Sequence, residues 1–115
     1  MIDRQSIADI VATYRKHGWT LRRVLLSERS AKTLGSLDVF GDAQVEDSPV
    51  DAMWFSRRAR RGFETWELRA ISLSPFALLE NIPDEMPAND ADAVFRDAEQ
   101  RLAETVIKPS PSDLS

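Results

Sequence analysis

Four arginines within five positions, Arg57, Arg58, Arg60 and Arg61, are the densest concentration of reactive side chains in the chain, and Phe55, Phe63 and Trp66 stand close to them. Guanidinium groups interleaved with aromatic rings can hold phosphate oxygens and stack on bases, so this cluster is a candidate site for an anion, a small molecule or a partner protein. Two plainer roles compete with that one. Charge at the end of a sheet discourages edge-to-edge aggregation. The cluster could also pair with the stretch from Asp38 to Asp51, where Asp38, Asp42, Glu46, Asp47 and Asp51 stand without one basic residue. A formal net charge of −4 weighs against a dedicated nucleic-acid binder, which is usually basic overall.

Catalytic chemistry finds few candidates. The chain has no cysteine, which removes thiolate nucleophiles, thiolate zinc sites and disulfides. His17 is the only histidine, and it falls where helix ends commonly carry positive charge. Glu64 and Glu67 project to opposite faces of a strand and cannot act as a pair. Asp84, Glu85, Asp90 and Asp92 lack the glycine-punctuated spacing of a calcium loop. The glycines at Gly35 and Gly41 match no phosphate-binding loop. No catalytic residue, cofactor or metal ligand is assigned. WFSR and WELR, at residues 54–57 and 66–69, look like a motif but carry no activity with them.

The elements that would position the arginines centre on a hairpin. Val50–Arg57 and Phe63–Ser72 are rich in aromatic, branched and Thr residues and flank Arg60-Arg61-Gly62. A three-residue turn with Gly62 in the left-handed conformation would pair Ala59 with Phe63, Arg57 with Thr65, Phe55 with Glu67 and Trp54 with Leu68. One face then gathers Ala52, Trp54, Ser56, Trp66, Leu68 and Ala70 and reads as core. The other gathers Met53, Phe55, Arg57, Thr65, Glu67, Arg69 and Ile71, an apolar centre with a charged rim that resembles a protein interface. It could equally be covered by the segments 28–49 or 76–82 of the chain itself.

The remaining elements follow from period and caps. Met1–Gly18 reads as a helix with Asp3 as N-cap, an Ile2–Ile7 staple and the stripe Ile7, Ile10, Val11, Tyr14. Trp19–Ser27 reads as a strand buried on both faces, with Arg22 and Arg23 one on each face. A short helix over Ser30–Leu37 and docking of Leu37, Val39 and Phe40, in a brief edge strand, are expected in an otherwise illegible stretch. Phe76–Glu80 reads as one helical turn. Asn89–Ile107 reads as a helix with the stripe Ala91, Phe95, Ala98, Leu102, Val106, ended by Pro109.

These elements predict a single α+β domain over residues 1–109, with an antiparallel sheet of three to four strands, both terminal helices on one face, and a disordered tail at 110–115. With no basic leader and no long apolar run, a cytoplasmic protein that does not enter membranes is expected. The function expected is a non-catalytic interaction or assembly module. It would homodimerise through Met53, Phe55, Glu67, Arg69 and Ile71, so that Phe55→Glu should leave the fold intact and separate the dimer. An unknown protein partner is compatible with the same surface. Binding of an anion, small molecule or nucleic acid by Arg57, Arg58, Arg60 and Arg61 is the alternative, with nucleic acid disfavoured by net charge.

Overall fold

The computed structural model describes residues 3–71 and 77–107, apart from the side chains of Ala59, Arg60, Val106 and Ile107. The elements run α1 (Arg4–Lys16), β1 (Thr20–Leu26), α2 (Glu28–Leu34), a 3-10 turn (Asp38–Phe40), β2 (Gln44–Asp47), β3 (Ala52–Arg60), β4 (Phe63–Ala70), β5 (Ala77–Pro83) and α3 (Ala88–Ile107). The strands form one sheet in the order β2-β1-β3-β4-β5. β1 and β2 are parallel and the other neighbours antiparallel.

The α+β class is as expected, but the sheet is mixed and has five strands. Its helices also lie on both faces, correcting the expectation that both terminal helices share one. The reason is in the strands. β1 sends Leu21, Val24 and Leu26 to one side and Leu25 to the other, and β3 alternates Trp54 with Met53 and Phe55. A strand that is apolar on both sides needs cover on both sides. On one face α3 contributes Phe95, Ala98 and Leu102 to a cluster with Leu25, Ala52, Trp54, Trp66, Leu68 and Ile82. On the other, Ile7 and Val11 of α1, Leu34 of α2 and Phe40 of the 3-10 turn enclose Leu21, Val24, Leu26, Met53, Phe55 and Ile71.

Helix α1 forms where its caps place it. Asp3 Oδ1 accepts from the Ser6 N–H at 2.8 Å, Arg15 and Lys16 occupy the last turn, and Gly18 takes a φ of 87° that lets the chain leave at once into β1. Ile2 of the expected staple lies outside the described residues. Within β1 the register shifts between Leu21 and Arg23, so Leu21 faces Phe55 and Arg23 faces Trp54. Arg22 is the extra residue of a bulge, and the bulge turns both arginines toward α3 instead of one to each face.

The stretch between β1 and β3 holds more structure than its composition suggests. Helix α2 is capped by the Ser27 hydroxyl accepting from Ser30 N–H and stops at Gly35. Phe40 docks into the core through the 3-10 turn, not a strand. The edge strand comes later, as β2, and its parallel pairing with β1 is possible because residues 27–43 supply the long crossover that parallel neighbours need. Asp51 secures the end of this segment: its carboxylate accepts from Ser27 N–H and from the Ser30 hydroxyl, both at 2.7 Å.

The hairpin keeps the expected register, Arg57 with Thr65, Phe55 with Glu67 and Trp54 with Leu68. Its extra residue sits elsewhere. Arg60 pairs with Phe63 and the shift lies between Arg57 and Arg60, leaving Arg61 and Gly62, at φ 98°, as the turn. The expected helical turn at Phe76–Glu80 is replaced by β5, with Phe76 itself outside the described residues. Leu78 and Ile82 of β5 pack on the α3 side and Leu79 points the other way, a strand period that the run Ala-Leu-Leu conceals. Pro109, the Val106 side chain and the tail expected at 110–115 also fall outside what is described.

Candidate functional site

The arginine-rich tip is divided by the pleat and largely committed. Arg57 projects to the α1 side, where its Nη1 donates to the His17 carbonyl at 3.0 Å and its guanidinium lies 4.7 Å from the centre of the Trp19 ring. It thereby satisfies a carbonyl at the end of α1, the role sequence reasoning gave to positive charge in that helix's own last turn. Arg58 projects to the other side and grips Asp84 with both terminal nitrogens, at 2.9 and 3.0 Å. This fork also ties the β3–β4 turn to the end of β5, where Asp84 N–H donates to the Gly62 carbonyl. Arg61 is exposed in the turn, and the Arg60 side chain is not among those described. The structure therefore does not gather Arg57 and Arg58 into one anion cradle. Nor does any ion pair among the described residues join them to the acidic stretch 38–51.

The expected interface residues have two fates. Met53 and Phe55 are 0% exposed and Ile71 is buried, all beneath α1, α2 and the 3-10 turn. The proposed dimer surface is thus corrected: its apolar centre is core, because Tyr14 of α1 stacks on Phe55 with ring centres 3.9 Å apart and planes 13° from parallel. Glu67 and Arg69 lie at the margin of that cover. Glu67 accepts a hydrogen bond from the Tyr14 hydroxyl. Partial burial, and then this hydrogen bond to a carboxylate, push the Tyr14 hydroxyl up to about 12, with nearby Arg69 opposing the rise. A phenol so placed is a hydrogen-bond donor at neutral pH, not a base.

On the α3 side the polar groups form a rim around the Trp54–Trp66–Phe95 cluster. The Trp54 indole N–H donates to Glu99 at 2.8 Å. Arg22 covers Trp66 and donates to the buried Ser56 hydroxyl, while Arg23 covers Phe95 and faces Asp92. Arg101 holds Glu80 at 2.8 Å and Asp97 at 3.0 Å. These contacts seal an aromatic core at its edges, so their chemistry is structural. Among the described residues no group of three or more His, Asp or Glu is placed to hold a metal ion, and no helix is long and apolar enough to cross a membrane.

What the cover leaves open is the far side of the sheet. Helix α1 lies over β1 and β3, so on its side the strip made by Thr65, Glu67 and Arg69 of β4 and Ala77, Leu79 and Asn81 of β5 is only partly shielded. Leu79, at the middle of the outermost strand, is 62% exposed, a large apolar side chain standing well into solvent. Sequence reasoning missed this site because it read β5 as a helical turn. The alternation Leu78, Glu80, Ile82 against Ala77, Leu79, Asn81 was the signal that could have found it.

No family model, curated protein or solved structure matches this chain.

Proposed function

We propose that this chain is a non-catalytic interaction module that meets its partner along β5 and the adjoining strip of β4. The observation that carries the reading is Leu79, 62% exposed at the centre of a strand whose outer edge no described strand pairs with. Edge strands exposed to solvent are normally defended by lysine, proline or a bulge, because their free N–H and C=O groups pair readily with other chains. β5 has no lysine and no bulge, and its one proline, Pro83, stands at the strand's last position. Its one charged residue, Glu80, points to the α3 side and is held there by Arg101. The reading fits the chemistry of the rest of the surface, where Tyr14, Arg57, Arg58, Glu67 and Glu99 already serve internal contacts.

The test compares the native size of the wild-type chain and of Leu79→Lys in gently lysed cells. Wild type should elute as a complex larger than its 13.0 kDa chain, and Leu79→Lys at the size of the free chain. A wild-type chain that elutes free, or a complex indifferent to Leu79→Lys, contradicts the reading.

A further inference from the structure

The free edge of β5 can be specified group by group. Asp84 N–H donates to the Gly62 carbonyl at 2.9 Å, which brackets the neighbouring pair Phe63 and Pro83 as one that exchanges no hydrogen bonds. That assignment suits Pro83, which has no N–H to exchange. The β4–β5 register then runs without a shift to Arg69 and Ala77, so the two kinds of pair must alternate along it. Ile82, Glu80 and Leu78 turn their N–H and C=O groups inward to β4. Asn81, Leu79 and Ala77 turn theirs outward, and these same three residues carry their side chains on the partly open α1 side.

The outward set is symmetric about Leu79. We infer that β5 pairs antiparallel with β5 of a second copy of this chain, Leu79 opposite Leu79 and Ala77 opposite Asn81, extending the sheet across a two-fold axis. This inference rests on the interaction reading above and names the partner. Every outward backbone donor and acceptor of the three residues finds its counterpart in this arrangement. Shifting the centre by one residue still opposes outward groups but leaves the set incomplete. About Glu80, two Glu80 carboxylates stand opposite each other and Ala77 meets Pro83, which has no N–H. About Leu78, the outward groups of Asn81 find no counterpart among the three residues.

The side chains suit the same pairing. Two Leu79 side chains meet on the two-fold axis with no charge between them, and the Glu80 carboxylates, on the other side of the sheet, are neutralised by Arg101 of their own copies. In the next row Arg69 stands opposite the small Ala77, beyond which comes Asn81 of the second copy. Ala77 is short, so this row brings neither bulk nor a second charge against the Arg69 side chain. A two-fold contact makes each such match twice. A strand of this length spans roughly 23 Å, so the contact is small and the dimer is expected to be reversible.

Because the chain contains no cysteine, introduced thiols report position without interference. In the proposed register, residues whose numbers complement one another about Leu79 face each other within disulfide reach. Purified Leu79→Cys should become a covalent dimer under mild oxidation. Asn81→Cys alone should not, because its two copies would lie about 14 Å apart on strand geometry. Mixing Ala77→Cys with Asn81→Cys should restore coupling, as the mixed dimer only. All three positions are exposed, and far-UV circular dichroism verifies that each variant is folded. Absence of coupling at Leu79→Cys, or equal coupling by Asn81→Cys alone, would overturn the inference. If the purified chain fails to couple while the wild type still runs as a Leu79-dependent complex in lysate, the second copy is wrong and the interaction reading survives. If both fail, both are lost.

Discussion

Phe55→Glu is expected to abolish folding at neutral pH. Phe55 is fully enclosed between the sheet and the Tyr14 ring, and its cross-strand partner is Glu67. Removing the buried ring forfeits about 2–3 kcal/mol of apolar burial. A carboxylate in its place loses its hydration without a partner, which adds several kcal/mol. It would also stand directly opposite the Glu67 carboxylate, a like-charge pair across the strands. Together these match the roughly 5–15 kcal/mol by which a small domain is stable at all. The expected circular dichroism shows no cooperative melt. The change at Leu79 provides the contrast, since exposed substitutions usually stay within about 0.5 kcal/mol. A folded Phe55→Glu protein with a native melt would show that α1 does not cover this face.

The second large effect is on the single tyrosine. Tyr14 is the only tyrosine of the chain, so absorbance of the phenolate reports one group. Its ionisation in the folded protein is expected near pH 12, against an ordinary value of 10.0, because burial and the Glu67 carboxylate both penalise the phenolate. The sign of the linkage follows. A folded value above the unfolded one means the fold holds the proton, so the contribution to stability is complete below pH 10 and fades as pH rises from there through about 12. Tyr14→Phe should remove that alkaline loss, flattening the dependence of melting temperature on pH between those values. A midpoint near 10 in protein that is still folded would mean the hydroxyl is free in solvent and the contact with Glu67 is absent.

Both expectations depend on features that the sequence displays unequally. The register of the hairpin was legible because one slip would mix Trp54 with Glu67, and the pattern of two faces resists that. Helix α1 was legible from its cap and periodic stripe, and α3 from its stripe, although it begins at Ala88, before the Asn89 start the sequence suggests. The layer arrangement was not. Met53, Phe55 and Ile71 beside Arg57, Glu67 and Arg69 have the composition of an exposed interface, and only the path of α1 reveals that the apolar members are core and the charged members its margin. Alternation along one strand cannot say which helix lies above it. The paired arginines of β1 misled for a different reason: a bulge adds a residue without changing composition, and it moved Arg22 to the side of Arg23.

The candidate site was the least legible part. The arginine tip attracted attention by density, yet Arg57 and Arg58 work in opposite directions, one on the end of α1 and the other on Asp84. β5 went unnoticed because Ala-Leu-Leu fits a helical turn as well as a strand when read alone. Its partner strand decides the matter: β4 already needs a neighbour on the side away from β3, and Leu78 and Ile82 are wanted by the aromatic cluster under α3. The direction of its backbone groups, on which the proposed pairing rests, follows from that register and suits the missing N–H of Pro83.

Pairing of β5 between copies is tested most directly by amide hydrogen exchange of the purified chain over a range of protein concentrations, resolved along that strand. The inward amides of Leu78, Glu80 and Ile82 should exchange slowly at every concentration, since they bond to β4 within one copy. Those of Leu79 and Asn81 should exchange quickly in dilute protein and become protected together as concentration rises. Rapid exchange at Leu79 and Asn81 at the highest concentration reached, with the inward amides protected throughout, would contradict pairing of β5 with a second copy.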